Sequence, residues 1–325
     1  MAEVTYREAV AQAIKEEMRR DKTVILLGED VGSFGGAMAA TKGVFDEFGP
    51  ERVIDTPISE AAIIGAGLGA ALTGLRPIAE IMFIDFTTCC MDQIVNQVAK
   101  VRYMLGGKVE VPLVIRTQGG GGKSYAAQHS QSLEAWFAHV PGLITVMPAT
   151  ASSAKGLLKS AIRSNDPVLF IEHKMLYGDK DTIPDDEDFT LPLGKAEIVR
   201  PGSQVTIVSY SRELLICLSA AVELSKKGID CEVIDLRTVS PLDMETVLLS
   251  LEKTGRMVVV EEGHRSFGVG AEVIARVMEQ GFDLLEAPVV RIGALDSPIP
   301  FSPVLEAAVL PSIGKIVDAV TSFFT

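Results

Sequence analysis

With 325 residues and a mass of 34.8 kDa, the chain exceeds the size at which one hydrophobic core usually keeps growing, which points to two domains and excludes a small disulfide-stapled scaffold. Apolar residues make up 47% and charged ones 22%, ordinary globular usage that excludes disorder as the main state. A formal charge of -13 and a pI near 4.9 argue against nucleic acid, because phosphate-backbone binding needs a basic surface.

In chain order, the amino terminus MAEVTYREAVAQAIKEEMRR carries acids throughout and reads neither as a secretory signal nor as a transit peptide, so a cytoplasmic protein is expected. Thr5 and Glu8 form a capping box, and Tyr6, Val10, Ala13, Ile14 and Met18 recur at helical spacing, predicting a first helix to about Arg20. Val24 to Leu27 reads as a buried strand that delivers Glu29 and Asp30 to a loop at its carboxyl end. Strand-like runs at 76–83, 112–116, 143–147 and 168–171 then alternate with helical stretches at 59–74, 89–104, 132–139 and 151–164, the pattern of an α/β domain with a largely parallel sheet. Between Tyr177 and Gly194 the pattern lapses into an acidic, proline-bearing stretch, the candidate linker, whose run Asp185 to Asp188 reads as a solvated loop. Alternation resumes with strands at 204–210, 231–236, 256–261 and 288–293 and helices at 213–227, 243–251 and 270–280. The expected organisation is two doubly wound α/β domains at 1–178 and 195–325 joined by a linker at 179–194.

The uncharged, helix-patterned stretch between Glu60 and Arg76 has 15 residues, short of the ~20 needed to cross a bilayer, and it reads as a buried helix, so no membrane span is expected. A mean hydropathy of +0.28 without such a span points to a subunit interface. The four cysteines, Cys89, Cys90, Cys217 and Cys231, show no zinc spacing and default to small buried hydrophobes.

Two glycine motifs fall short of nucleotide fingerprints. Gly65-Ala66-Gly67-Leu68-Gly69-Ala70 matches G-x-G-x-x-A but lies mid-helix instead of after a strand, and its small residues read better as a flat packing face. Thr117 to Ser124, TQGGGGKS, misses the first Walker A glycine and does not enter a helix at its Lys-Ser pair; it reads as a mobile or close-approach loop at a strand's carboxyl end. His129, just beyond that loop, can donate or accept a proton, or hold a structural position. Glu60, at the start of the uncharged helix, is either a capping aid or a carboxyl group for acid–base chemistry.

The segments GEDVG at 28–32, FGPERVIDTPISE at 48–60, TGLRPIAEIMF at 73–83, DQIVNQVAKVRYMLGG at 92–107, AAQHSQS at 126–132, AKGLLKSAIRSNDPVLFIEHKMLYG at 154–178, DLRTVSPLD at 235–243 and VVVEEGHRSFGVGAEV at 258–273 together resemble the β-subunits of the thiamin-diphosphate-dependent component of 2-oxo acid dehydrogenase complexes, a transketolase-like family. The resemblance implies a pyrimidine-binding domain followed by a transketolase C-terminal-type domain. It makes Glu60 the carboxyl group bonded to the aminopyrimidine, with Phe86 stacking on that ring and Ile58 and Met82 lining the site. It gives His129 a part in proton transfer or in orienting the lipoyl group, and it carries a potassium site over to Leu113, Ala161, Ile162, Ser164 and Asp166. The family's magnesium motif, GDG followed by Asn, is missing: GD occurs only at Gly178-Asp179, and both asparagines, Asn96 and Asn165, precede it. The resemblance therefore implies an α-subunit that brings magnesium and the diphosphate half of the site, an α2β2 heterotetramer and a lipoyl-bearing acyltransferase core. Because EIMFIDF, RYMLGGK and AAQHSQS, with Met82 where many 2-oxo acid members have Gln, look more like acetoin dehydrogenase β-subunits, the substrate stays open between a 2-oxo acid and acetoin. A transketolase would carry its magnesium motif on the same chain, and a merely regulatory homologue would have lost Glu60 or His129.

Overall fold

The computed structural model describes residues 2–325, which divide into two compact units: the chain up to Gly119 with Trp136–Leu193, and Gly120–Ala135 with Gly194–Thr325. In order, the elements of the first half are β1 (Ala2–Thr5), α1 (Tyr6–Arg20), β2 (Val24–Gly28), α2 (Val44–Phe48), β3 (Val53–Asp55), α3 (Glu60–Leu72), β4 (Arg76–Ile81), α4 (Val101–Met104), β5 (Val114–Gly119), α5 (Glu134–Ala138), β6 (Ile144–Val146), α6 (Ala151–Arg163), β7 (Val168–His173) and β8 (Lys180–Ile183). In the first unit a parallel sheet runs in the order β6-β7-β5-β4-β2-β3, so its strands point the same way and the loops that leave their carboxyl ends gather at one edge.

The Thr5–Glu8 capping box starts α1, which lays Ala9, Val10, Ala13, Ile14 and Met18 into the core. Against α6 it sets a charged seam, Glu16 with Lys155 and Lys159 and Glu17 with Arg163 at 2.7 Å each, where opposite charges satisfy one another out of water. β2 is buried throughout, as its unbroken apolar run requires between two flanking strands.

The second unit holds β9 (Glu197–Arg200), β10 (Val205–Ser209), α7 (Ser211–Lys226), β11 (Cys231–Asp235), β12 (Thr238–Ser240), α8 (Met244–Thr254), β13 (Met257–His264), α9 (Val269–Gln280), β14 (Val290–Ala294), α10 (Pro303–Val309) and α11 (Ile313–Thr321). Its sheet has the order β14-β13-β10-β11-β9, parallel except for the antiparallel edge strand β9. Asp243 caps α8 by accepting from the Thr246 amide at 3.4 Å, and Gly255 closes that helix in the left-handed conformation.

Two local expectations are corrected, after two observations that bear on the expected domain bounds. Residues 120–135, expected in the first domain, cluster with the second unit. The expected linker 179–194 begins with β8, which pairs antiparallel with β1. The helix expected over 89–104 is a 3-10 turn (Ile84–Cys90), a wider π turn (Asp92–Val98) and the short α4; the closely spaced β-branched Ile94, Val95, Val98 and Val101 favour such an interruption. Cys89 is exposed, whereas Cys90, Cys217 and Cys231 are buried. Among the described residues no helix is long and apolar enough to cross a membrane.

Candidate active site

In the first unit the carboxyl ends of β2, β3 and β4 present one set of loops. After β2 the chain turns at Asp30, which takes a left-handed φ of 55°. The Gly32 amide donates to Asp55 Oδ1 at 2.7 Å, and a Cβ at Gly32 would stand 2.4 Å from Asp55 Oδ2, so GEDVG needs its second glycine there. The loop then returns over the strand ends, where the Ala37 amide donates to Glu80 Oε1 at 3.2 Å and the Thr41 hydroxyl to the Val31 carbonyl at 3.1 Å.

Glu80 is itself held. Buried Arg116 on β5 donates to Glu80 and, through two nitrogens, to Glu172 on β7, and Tyr177 donates its hydroxyl to Glu172 Oε2 at 2.7 Å. This network fixes three neighbouring strand ends, and it leaves Glu80 no oxygen for selecting a substrate.

β3 leads through Thr56-Pro57-Ile58-Ser59 into α3, whose first residue is Glu60. A carboxylate in that first turn sits at the positive end of the helix dipole. Glu60 is half-buried, Ile58 is 73% exposed, and the buried Thr56 hydroxyl has no hydrogen-bond partner. The charge of Glu60 reaches its neighbours: burial, then Asp30 and Glu60, push the Glu29 carboxyl up, and burial, then Glu60 and Cys89, push the Cys90 thiol up to about 12. Helix α3 packs against the turn Ile84–Cys90, which carries half-buried Phe86 edge-to-face on Phe83 at 5.9 Å; half-buried Met82 follows β4. The Lys174 ammonium lies 5.3 Å from the Phe83 ring, holding that aromatic pair from the side. Ile58, Glu60, Met82 and Phe86 therefore belong to one unit and one sheet edge. Their chemistry, a carboxylate acceptor, an unsatisfied hydroxyl and an aromatic face between aliphatic side chains, fits a flat heterocycle that carries N–H donors.

His129 belongs to the segment that clusters with the second unit. Its loop is drawn together at the neck, where the Gly120 amide donates to the Gln131 carbonyl at 3.0 Å. Within it Gly120 and Gly122 take φ of 86° and 93°, and Ser124 and Ala126 also enter the left-handed region. The amides of Gly122 and Ser124 hold Glu306 at 2.8 and 3.0 Å, so the run that resembles a Walker A loop spends its anion-binding amides on a carboxylate of its own chain. A cavity of about 400 Å³ beside the loop is lined by Ser130, Ser132, Glu262, His264, Ser266 and Asp296, among others.

At the expected potassium position, Arg76 donates to the carbonyls of Ile162, at 2.9 Å, and of Ser164, while Arg102 pairs with Asp166. The Leu113 and Ala161 carbonyls accept from the amides of Val168 and Ser164 at 3.0 and 3.2 Å. Guanidinium groups thus supply the positive charge at this turn. In α3, Gly67 packs on Leu113 and Ala79 as a close-contact glycine, whereas Gly65, Ala66 and Gly69 of the expected flat face are exposed.

Sequence reasoning missed Glu306 and the role of Glu262. The acid pair in VVVEEGH marks a strand end, but nothing in PVLEAAV signals that its glutamate reaches a loop some 180 residues earlier.

Residues 2–180 match the transketolase pyrimidine binding domain and residues 194–316 the transketolase C-terminal domain. The pyruvate dehydrogenase E1 component subunit beta of Rhizobium meliloti is 48% identical over 98% of this chain and 70% of its own length. The acetoin:2,6-dichlorophenolindophenol oxidoreductase subunit beta of Bacillus subtilis is 48% identical over 97% of this chain and 95% of its own. The human mitochondrial pyruvate dehydrogenase E1 subunit beta is 46% identical over 98% of this chain and 90% of its own. A solved structure titled split gene transketolase, inactive beta4 tetramer, covers 98% of both chains with a TM-score of 0.81 at 24% identity, a likeness of fold. Two domain matches spanning most of the chain, with relatives close to half identical over nearly all of it, show that the chain belongs to the transketolase-like family of two-domain β-subunits that includes those of pyruvate dehydrogenase E1 components and of acetoin oxidoreductases.

Proposed function

We propose that the chain is the β-subunit of a thiamin-diphosphate-dependent 2-oxo acid dehydrogenase, working with an α-subunit in an α2β2 heterotetramer and passing its acyl group to lipoyl on an acyltransferase core. The observation that carries this reading is Glu60 at the start of α3, half-buried beside an unpartnered Thr56 hydroxyl and the Phe86 turn. Bound thiamin diphosphate supplies the nucleophilic carbon and the electron sink for decarboxylation. Glu60 would hold a proton at an aminopyrimidine ring nitrogen, with Phe86 against the ring face and Ile58 and Met82 as aliphatic walls. His129 would hold or pass a proton where the acyl group leaves. Magnesium and the diphosphate fall to the α-subunit, since no GDG with a following Asn occurs here. A potassium ion at the turn of Leu113, Ala161, Ile162, Ser164 and Asp166 belongs to the same reading, since the carbonyls that accept from Arg76 and from the amides of Val168 and Ser164 each have a second lone pair.

Acetoin cleavage is the second reading, favoured by equal identity, 48%, to a pyruvate dehydrogenase and to an acetoin oxidoreductase subunit. The test is copurification with the α-subunit and reduction of an artificial electron acceptor in the presence of thiamin diphosphate, magnesium and either 2-oxo acids or acetoin. Turnover with 2-oxo acids alone supports the first reading, and preference for acetoin replaces it with the second. Glu60→Gln should leave the heterotetramer assembled and remove most of the turnover; an unchanged rate would sink the role of Glu60.

A further inference from the structure

The loop that carries His129 is tied down by two carboxylates from the carboxyl-terminal part of the chain. Glu306 on α10, only 3% exposed, accepts from the amides of Gly122 at 2.8 Å and Ser124 at 3.0 Å, one through each oxygen. Glu262 on β13 accepts on a single oxygen, Oε1, from the Gly121 amide at 2.7 Å and the Ser132 hydroxyl at 3.1 Å. Arg212 stands 3.3 Å from its other oxygen and balances its charge. One carboxylate therefore grips the entry of the loop, and the other joins its entry to its exit, with His129 between the ties. Amide-to-carboxylate bonds are charge-assisted and directional, so both ends of the segment are fixed in position and in orientation. The seat is close as well, since a Cβ at Gly121 would stand 3.0 Å from Leu310 Cδ1.

We propose that Glu306, with Glu262 beside it, is a positioning residue that presents His129 in one orientation by holding the backbone amides of its loop. The functional half of this inference rests on the role given to His129 above, whereas the anchoring half stands on the loop itself.

The test uses the full heterotetramer and four forms: the parent, Glu306→Gln, His129→Ala and the double variant. Glutamine keeps the shape but sets an NH2 group against one of the two amides it must accept from. Hydrogen exchange of the peptide spanning 120–132 should then quicken about tenfold or more, the loss expected for one charge-assisted bond. Turnover should fall about tenfold to a hundredfold, the usual effect of a misplaced catalytic group. In the His129→Ala background Glu306→Gln should cost no further turnover, because it acts through the same residue. Unchanged exchange in Glu306→Gln would overturn the anchoring. A loss of turnover that simply adds to that of His129→Ala would overturn the positioning role, since a general structural defect behaves that way. Full activity in His129→Ala would refute the role of His129 and with it the functional half, while the exchange rates still decide the anchoring. If Glu306→Gln fails to assemble, Gly121→Ala displaces the same loop against Leu310, and the same outcomes apply.

Discussion

Arg116 offers the most quantitative test of how the sheet edge is held. The guanidinium is 2% exposed and bonds two carboxylates, Glu80 and Glu172, so the cluster carries one positive charge against two negative. Burial pushes the Glu80 carboxyl up against the opposing pull of Arg116. Arg116→Met fills much of the volume but strands both acids, and removing one partner of a buried pair costs about 3–5 kcal/mol. Urea unfolding followed by circular dichroism at pH 8 should register that loss. Adding Glu80→Gln and Glu172→Gln to the Met variant should recover most of it, since neutral amides tolerate the site. The pH dependence has a definite sign. Without the guanidinium the Glu80 carboxyl, pushed up by burial, loses the pull that opposes it, so the stability it allows is full below 4.5 and is lost as pH rises through its folded value. The deficit should therefore be widest at pH 8 and narrow toward pH 5. A loss below about 1 kcal/mol, or one that is equal at both pH values, would refute the account in which unpaired buried charge is the penalty. The variant should also loosen the loop after β2, because Glu80 is the acceptor for the Ala37 amide.

A second pH effect is expected in the second unit, where the Tyr210 hydroxyl lies 2.8 Å from Glu134 and 3.4 Å from Glu261 and has one proton to give. Burial pushes both carboxyls up to about 7, so the stability they contribute is full below 4.5 and is lost as pH rises to about 7, by up to about 3 kcal/mol for each. Melting curves between pH 5 and 8 should show this decline, and Glu134→Gln should flatten it; a parent and variant with the same pH dependence would count against the assignment. Gly142→Ala should destabilise the first unit by about 3 kcal/mol or more, because the glycine sits at φ 100° and an added Cβ would lie 2.0 Å from the Ala99 carbonyl oxygen. Denaturant midpoints read that directly, and a midpoint equal to the parent's would contradict the geometry.

Much of the architecture was legible because it follows local rules. The run Val24–Gly28 could only be a strand buried on both faces, and the Thr5–Glu8 box could only open a helix. Elements that depend on distant partners were not legible. β1 and β8 exist as a pair, although neither Glu3-Val4-Thr5 nor Lys180-Asp181-Thr182 is apolar enough to announce a strand. The edge strand β9 draws its hydrogen bonds from β11, more than thirty residues further along. Glu60, Ile58, Met82 and Phe86 were named through long family-specific segments; local pattern alone left Glu60 open between a capping aid and a carboxyl group for acid–base chemistry.

The glycine run shows why motif reading stops where it does. Successive amides with glycine at positive φ form a nest for an anion, and the nest's geometry is indifferent to where that anion comes from. A phosphate needs a lysine and a helix amino terminus to complete its binding, and the sequence after Lys123-Ser124 denies the second of these. A carboxylate on the same chain needs only to be delivered, and Glu306 arrives from 182 residues beyond Ser124. TQGGGGKS, which lacks the first glycine and the helix of a phosphate cradle, therefore serves as an internal clasp, and α10 sets an acid of the same chain in the place of an external anion. That substitution turns a ligand-binding motif into a device for holding a loop, which is the physical reason for expecting the amides of Gly122 and Ser124 to govern how His129 is presented.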